Sequence, residues 1–97
     1  MALAAGDGAG AASALDRAWE LDPQVSVRPE AFGALAYHYG SRKLTFLRSA
    51  LLVDVVRELG HHPTAAAAVE SCVPADRRRS HLRALASLAD SGFIRAR

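Results

Sequence analysis

The sequence predicts an α+β domain in which a three-stranded antiparallel meander is followed by three helices, the βββααα order of a winged helix-turn-helix. Three observations carry this. Apolar residues alternate with period two through residues 25–47, then recur with helical period from Leu51 onward. Proline and glycine interrupt the pattern at Pro23, Pro29, Gly33, Gly40, Gly60, Pro63, Pro74 and Gly92, cutting it into short elements. A chain of 97 residues has room for one small domain with one core.

Residues 2–14 hold seven Ala and three Gly, with Leu3 the one large side chain. Nothing there buries enough surface to offset the entropy of ordering. Residues 1–14 therefore read as a disordered tail and residues 15–97 as the domain. Structure is expected to begin at Leu15-Asp16-Arg17-Ala18-Trp19, as a helical turn or a wrapped segment. Pro23 and Pro29 bracket Gln24-Val25-Ser26-Val27-Arg28, where valines alternate with polar residues. That is a half-buried strand, and flanking prolines suit its ends. After the Phe32-Gly33 turn, residues 34–39 place Leu35, Tyr37 and Tyr39 on one face and Ala34, Ala36 and His38 on the other. Gly40-Ser41-Arg42 supplies the next turn. Lys43–Leu47 forms the third strand, with Leu44 and Phe46 on one side and Lys43 and Thr45 on the other.

The period then changes. Ser49 is an N-cap candidate ahead of Leu51, Leu52, Val55, Val56 and Leu59, with Gly60 as the C′ residue and Pro63 beyond. A short Ala-rich helix covers residues 64–72 and closes at Pro74. The third helix starts at Asp76 as its N-cap and runs to about Ser91, with Leu82, Leu85, Ala86 and Ala89 at helical spacing and Leu88 widening the stripe. Gly92 ends it, and Phe93-Ile94-Arg95 continues as an extended tail. A small sheet cannot bury both faces, so the helices should pack on one side.

Composition excludes several classes. No apolar run approaches the 18 or so residues of a membrane span, and the N-terminus lacks the basic and apolar regions of a signal peptide. One cysteine, Cys72, permits neither an internal disulfide nor a cysteine-clustered zinc site. A cytoplasmic domain is expected. Arg outnumbers Lys eleven to one, as in a GC-rich genome. Residues 1–40 carry five acids against two bases, net −3; residues 41–97 carry ten bases against five acids, net +5. A basic C-terminal half expects an acidic partner.

No nucleotide, P-loop, zinc-protease or nucleophile-elbow motif occurs. His61-His62-Pro63 falls in a turn where adjacent side chains point apart. Cys72, near a helix C-terminus, reads as a small buried hydrophobe. No catalytic residue, cofactor or metal is expected. The run Arg77-Arg78-Arg79, with Arg83 one turn on, is the loudest charged feature, although it cannot lie on one helix face. Cations at a helix N-terminus oppose its dipole, which favours a role in contacting something acidic.

Two segments, Val27-Arg28-Pro29-Glu30-Ala31-Phe32-Gly33-Ala34-Leu35-Ala36-Tyr37 and Arg42-Lys43-Leu44-Thr45-Phe46-Leu47, resemble the peptide chaperones of mycofactocin biosynthesis. These are a branch of the PqqD-like RiPP recognition elements. The stretch from Leu82-Arg83-Ala84-Leu85 to Gly92-Phe93-Ile94 is similar to that family's last helix, so the resemblance covers residues 15–97. It implies a winged-helix-like domain that does no chemistry. Such a domain binds the leader of a precursor peptide and presents it to a radical S-adenosylmethionine enzyme.

On that reading Lys43–Leu47 is an edge strand whose unpaired backbone groups can accept the peptide as a fourth strand. The third helix walls the groove. The peptide-binding set is then Lys43, Leu44, Thr45, Phe46 and Leu47 with Arg79, Leu82, Arg83, Leu85, Ala86 and Leu88, the arginines forming a charged rim. Four or five backbone bonds at ~0.5–1.5 kcal/mol each leave a submicromolar complex dependent on apolar anchors as well. The same architecture serves winged-helix DNA-binding regulators. The middle helix, however, is almost all Ala with one acid, Glu70, and offers nothing to read base edges. No nucleic acid and no membrane are expected as partners.

Overall fold

The computed structural model describes residues 14–97, so the tail expected over residues 1–14 lies, except for Ala14, outside the described residues. The expected meander and three helices are present. Strands β2 (Val25–Glu30), β3 (Gly33–His38) and β4 (Lys43–Leu47) form an antiparallel sheet in the order β2-β3-β4. Helices α1 (Ala50–Glu58), α2 (Ala65–Cys72) and α3 (Arg78–Asp90) follow, with single 3-10 turns at Leu59–His61 and Ala75–Arg77.

Two short strands were not expected. β1 (Trp19–Leu21) pairs antiparallel with β5 (Ile94–Ala96), joining the two ends of the domain. A Glu20–Arg95 ion pair at 2.7 Å crosses this ribbon. The segment expected as a helical turn therefore holds helix only at Ala14 and Leu15, before turning into β1. Leu15 is buried, and the Ala14 carbonyl accepts the Trp19 indole N–H at 2.7 Å. The extended tail after Gly92 is β5.

The sheet turns its small residues inward. Ala34 and Ala36 of β3 are fully buried, which lets α1 lay Leu52, Val55 and Val56 close against the strand. Leu59, Ala65, Ala68, Val69, Val73, Leu85, Phe93 and Ile94 complete the core. Leu35, Tyr37, Leu44 and Phe46 share the opposite face by register and alternation. The helices pack on one side alone, as expected.

Capping follows the sequence at some ends and not at others. Ser49 caps α1, accepting the Leu52 N–H at 3.2 Å, and Thr64 caps α2, accepting the Ala67 N–H at 3.0 Å. Asp76 caps nothing: it sits inside the 3-10 turn, Arg77 occupies the α3 N-cap position, and no side chain closes that end. Gly60 is likewise no left-handed C′ residue, because the chain tightens into the Leu59–His61 turn without leaving helical backbone.

Gly92 does terminate α3. It takes φ 81°, while its N–H donates to the Ala89 carbonyl at 3.2 Å and the Phe93 N–H to the Leu88 carbonyl at 2.9 Å. This pair of bonds is a Schellman closure, in which an L side chain meets left-handed strain. A Cβ at Gly92 meets open space. Gly92→Ala is therefore expected to cost only the backbone penalty, about 1–2 kcal/mol by thermal or urea unfolding.

Candidate functional site

β4 is a sheet edge, and the register identifies which of its backbone groups are open. The Tyr39 N–H donates to the Gln24 carbonyl at 2.9 Å. Alternation along an antiparallel ladder then directs Gly33, Leu35 and Tyr37 at β2, and Ala34, Ala36 and His38 at β4. Pro29, which has no N–H to give, duly faces Ala34 at a non-bonded position. Lys43, Thr45 and Leu47 are thus consumed by β3. The N–H and C=O groups of Leu44 and Phe46 point out of the sheet, away from β3.

Beside this edge runs a groove between the start of α1 and α3. Arg48, Ser49 and Leu52 line one wall and Ser80, His81 and Ala84 the other, around a cleft of ≈ 210 Å³. Its floor is tied across by a buried histidine: Nε2 of His81 lies 3.0 Å from Ser49 Oγ, and Nδ1 lies 2.8 Å from the Arg77 carbonyl. A carbonyl can only accept, so Nδ1 donates to it. The same Ser49 oxygen accepts the Leu52 N–H. One hydroxyl thereby caps α1 and fixes α3 to it.

The expected residues divide four ways. Lys43, Leu44, Thr45 and Phe46 lie on the edge strand and are exposed or half-buried, whereas Leu47 is 1% exposed and belongs to the core. On α3, Leu85 and Leu88 are also core, at 0% and 7% exposed, so they support the groove from beneath. Leu82 and Ala86 are half-buried, packed against the core. At about 100° per residue they stand on a different flank from Ser80, His81 and Ala84. Arg83 is exposed one step round from Ser80, on the lip, and Arg79 is exposed farther from the cleft.

The arginine run also divides. Arg78 donates to the carbonyls of Val73 at 2.8 Å and Glu70 at 3.2 Å, closing the C-terminal end of α2, where a cation complements the dipole. Groove residues Arg48, Ser49, Ser80, His81 and Ala84 were not singled out for binding from the sequence. His81 and Ala84 sit at i and i+3, but this spacing reads as core.

The remaining polar groups are structural. His38 Nδ1 accepts the Ser41 N–H at 3.1 Å and its Nε2 lies 3.8 Å from Asp22. His61 and His62, expected to point apart, both approach one Glu58 oxygen, at 3.7 and 3.8 Å. No group of three or more metal-ligating side chains occurs among the described residues, and no helix there is long and apolar enough to cross a membrane. Cys72 is half-buried; desolvation first, then Glu58 and Asp54, push its thiol above the ordinary thiol range. The thiolate is the nucleophile, so iodoacetamide should alkylate native Cys72 more slowly than a free cysteine at pH 8. The rates should converge on unfolding.

Fold and site define a small winged-helix-like α+β domain with an open strand edge beside a polar-floored groove. The matches with known proteins give this class its family. Residues 18–95 match the model of the "Peptide chaperone MftB family", and the chain belongs to that family. It is 45% identical over 80 residues to "Peptide chaperone MftB" of Mycolicibacterium smegmatis, covering 81% of this chain and 78% of the relative. To the proteins of the same name from Mycobacterium ulcerans and Mycobacterium tuberculosis it is 47% and 44% identical over 80 residues, covering 81% of this chain and 73% of each relative. No solved structure matches. The family's role is that of a peptide chaperone and not of an enzyme.

Proposed function

We propose that this chain binds the leader of the mycofactocin precursor peptide as a fourth strand on β4. It then presents the peptide, without chemistry of its own, to a radical S-adenosylmethionine maturase. The observation that carries this reading is the edge itself. Leu44 and Phe46 offer two N–H and two C=O groups to an incoming strand, beside a groove whose far wall is α3. Main-chain pairing gives affinity to any sequence, so discrimination falls to the groove walls. Arg48 and Arg83 are exposed there, which favours acidic leader residues. A nucleic-acid role has less support, because α2 exposes only Glu70 and Ser71.

Calorimetry with a synthetic leader of a mycofactocin precursor peptide tests the proposal. Saturable binding at micromolar concentration or below is expected, weakened by Arg83→Glu, and more so at low salt where screening is least. No heat at high micromolar concentration contradicts it.

A further inference from the structure

The sheet's outer face lies opposite the core and meets the groove only at Arg48, which borders both. The four exposed large hydrophobics of the described residues all lie on this side of the sheet or on its turns: Phe32 48%, Tyr39 58%, Leu44 59% and Phe46 55% exposed. Leu35 and Tyr37, half-buried, fill the middle. The aromatics are already locked in pairs. Phe32 stands edge-on to Phe46 with centroids 5.5 Å apart, and Tyr37 to Tyr39 at 5.3 Å. Two clefts open between them, of ≈ 340 Å³ beside Phe32, Phe46 and Arg48, and ≈ 270 Å³ beside Arg28, Tyr37 and Leu44. Rigid aromatics around shallow pockets are what interface anchors look like.

The rim identifies the occupant. Arg28, Arg42 and Arg48 are exposed around this face, and the acid on it, Glu30, is taken by Arg28 at 3.0 Å. A second copy would set basic rim against basic rim. Three strands about 4.8 Å apart and five to six residues long also present only roughly 300 Å², well short of the ~800 Å² per partner of a standard stable interface. A peptide paired to β4 leaves this face uncovered, yet sends alternate side chains onto it beside Leu44 and Phe46.

We infer that the outer face of β2–β4 is a transient docking surface for a folded protein bearing an apolar patch bordered by carboxylates. On the reading proposed above, this protein is the maturase. A protein seated there touches the bound peptide directly, so peptide and docking surface form one continuous platform. The inference rests on that reading but has its own test. Arg28→Glu on β2 and Tyr39→Asp at the β3–β4 turn change the charge of this face without touching Phe46 or the open backbone of β4. The binding of each variant to a purified radical S-adenosylmethionine maturase of mycofactocin biosynthesis is measured without peptide, and binding of the leader separately. The expected result is a tenfold or greater loss of enzyme affinity in each variant, with leader affinity and melting temperature near those of the unmodified chain. Unchanged enzyme affinity overturns the inference, as does an enzyme that binds the unmodified chain not at all. A concentration-dependent dimer that the variants abolish overturns it too, in favour of self-association. A leader that fails to bind, with enzyme docking intact and variant-sensitive, overturns the peptide proposal alone.

Discussion

Replacing Gly33 by alanine is expected to cost about 3–5 kcal/mol, the largest stability effect of any single methyl in this domain. Gly33 opens β3 at φ 146°, in a region where L side chains are strained by roughly 1–3 kcal/mol. A Cβ there also runs into the Leu47 carbonyl oxygen, with the Leu47 carbonyl carbon and Ser49 nitrogen each 3.1 Å away. These are backbone atoms of β4 and of the α1 N-cap, so no rotamer change relieves them. Overpacking of this kind adds about 1–3 kcal/mol. Against a total stability of about 5–15 kcal/mol, that removes much of the margin. Thermal unfolding should show a drop of about 15 °C or more for a domain of this size. A change of only a few degrees would mean that β3 and β4 separate easily at this corner. The collision pushes β4 away from β3, so leader affinity should fall with stability.

Leu44→Pro is expected to act on binding instead. The Leu44 N–H points out of the sheet, so proline there takes nothing from the β3 ladder. It removes one donor from the open edge and sets a ring where the incoming strand must approach. One net hydrogen bond is about 0.5–1.5 kcal/mol, and the steric block adds to it, so leader affinity should fall about tenfold or more. Leu44→Ala separates the side-chain contribution. Thr45→Pro, one residue along, behaves differently because the Thr45 N–H faces Ala36. It should lower the melting temperature and leave any residual binding proportionate to the folded fraction. If Leu44→Pro binds the leader as Leu44→Ala does, backbone pairing at this edge is not the mode of recognition.

Much of this architecture was legible because periodicity survives in each long element. The alternation through residues 34–39 separated Ala34 and Ala36 from Leu35 and Tyr37 correctly. Which face turned inward was not legible. Hydrophobicity alone assigns the larger side chains to the core, whereas close approach of α1 selects the alanines and leaves the aromatics outside. The β1–β5 ribbon escaped notice because strands of three residues carry almost no period, and their pairing spans nearly the whole chain. Asp76 read as a cap because its side chain suits one. The chain instead leaves Pro74 through a 3-10 turn, which moves the N-cap one residue on, to Arg77. The edge strand was legible because Lys43–Leu47 is the last strand of the meander. The groove against the third helix was expected too, but the residues that line it were not. It is built by a long-range contact, Ser49 to His81, between two residues whose local roles are a helix cap and a point on an apolar stripe. Arg78, read as part of a basic cluster, closes α2 because that helix's final carbonyls fall within its reach.

The central claim, strand addition at β4 beside α3, is tested most directly by following backbone amide shifts while the leader is titrated into the full chain. The largest changes are predicted at Leu44 and Phe46, with Arg48, Ser49 and the Ser80–His81–Ala84 wall moving with them and α2 silent. Changes confined to Ala65–Cys72, with Lys43–Leu47 unmoved, would contradict it and return the middle helix, and with it nucleic acid, to consideration.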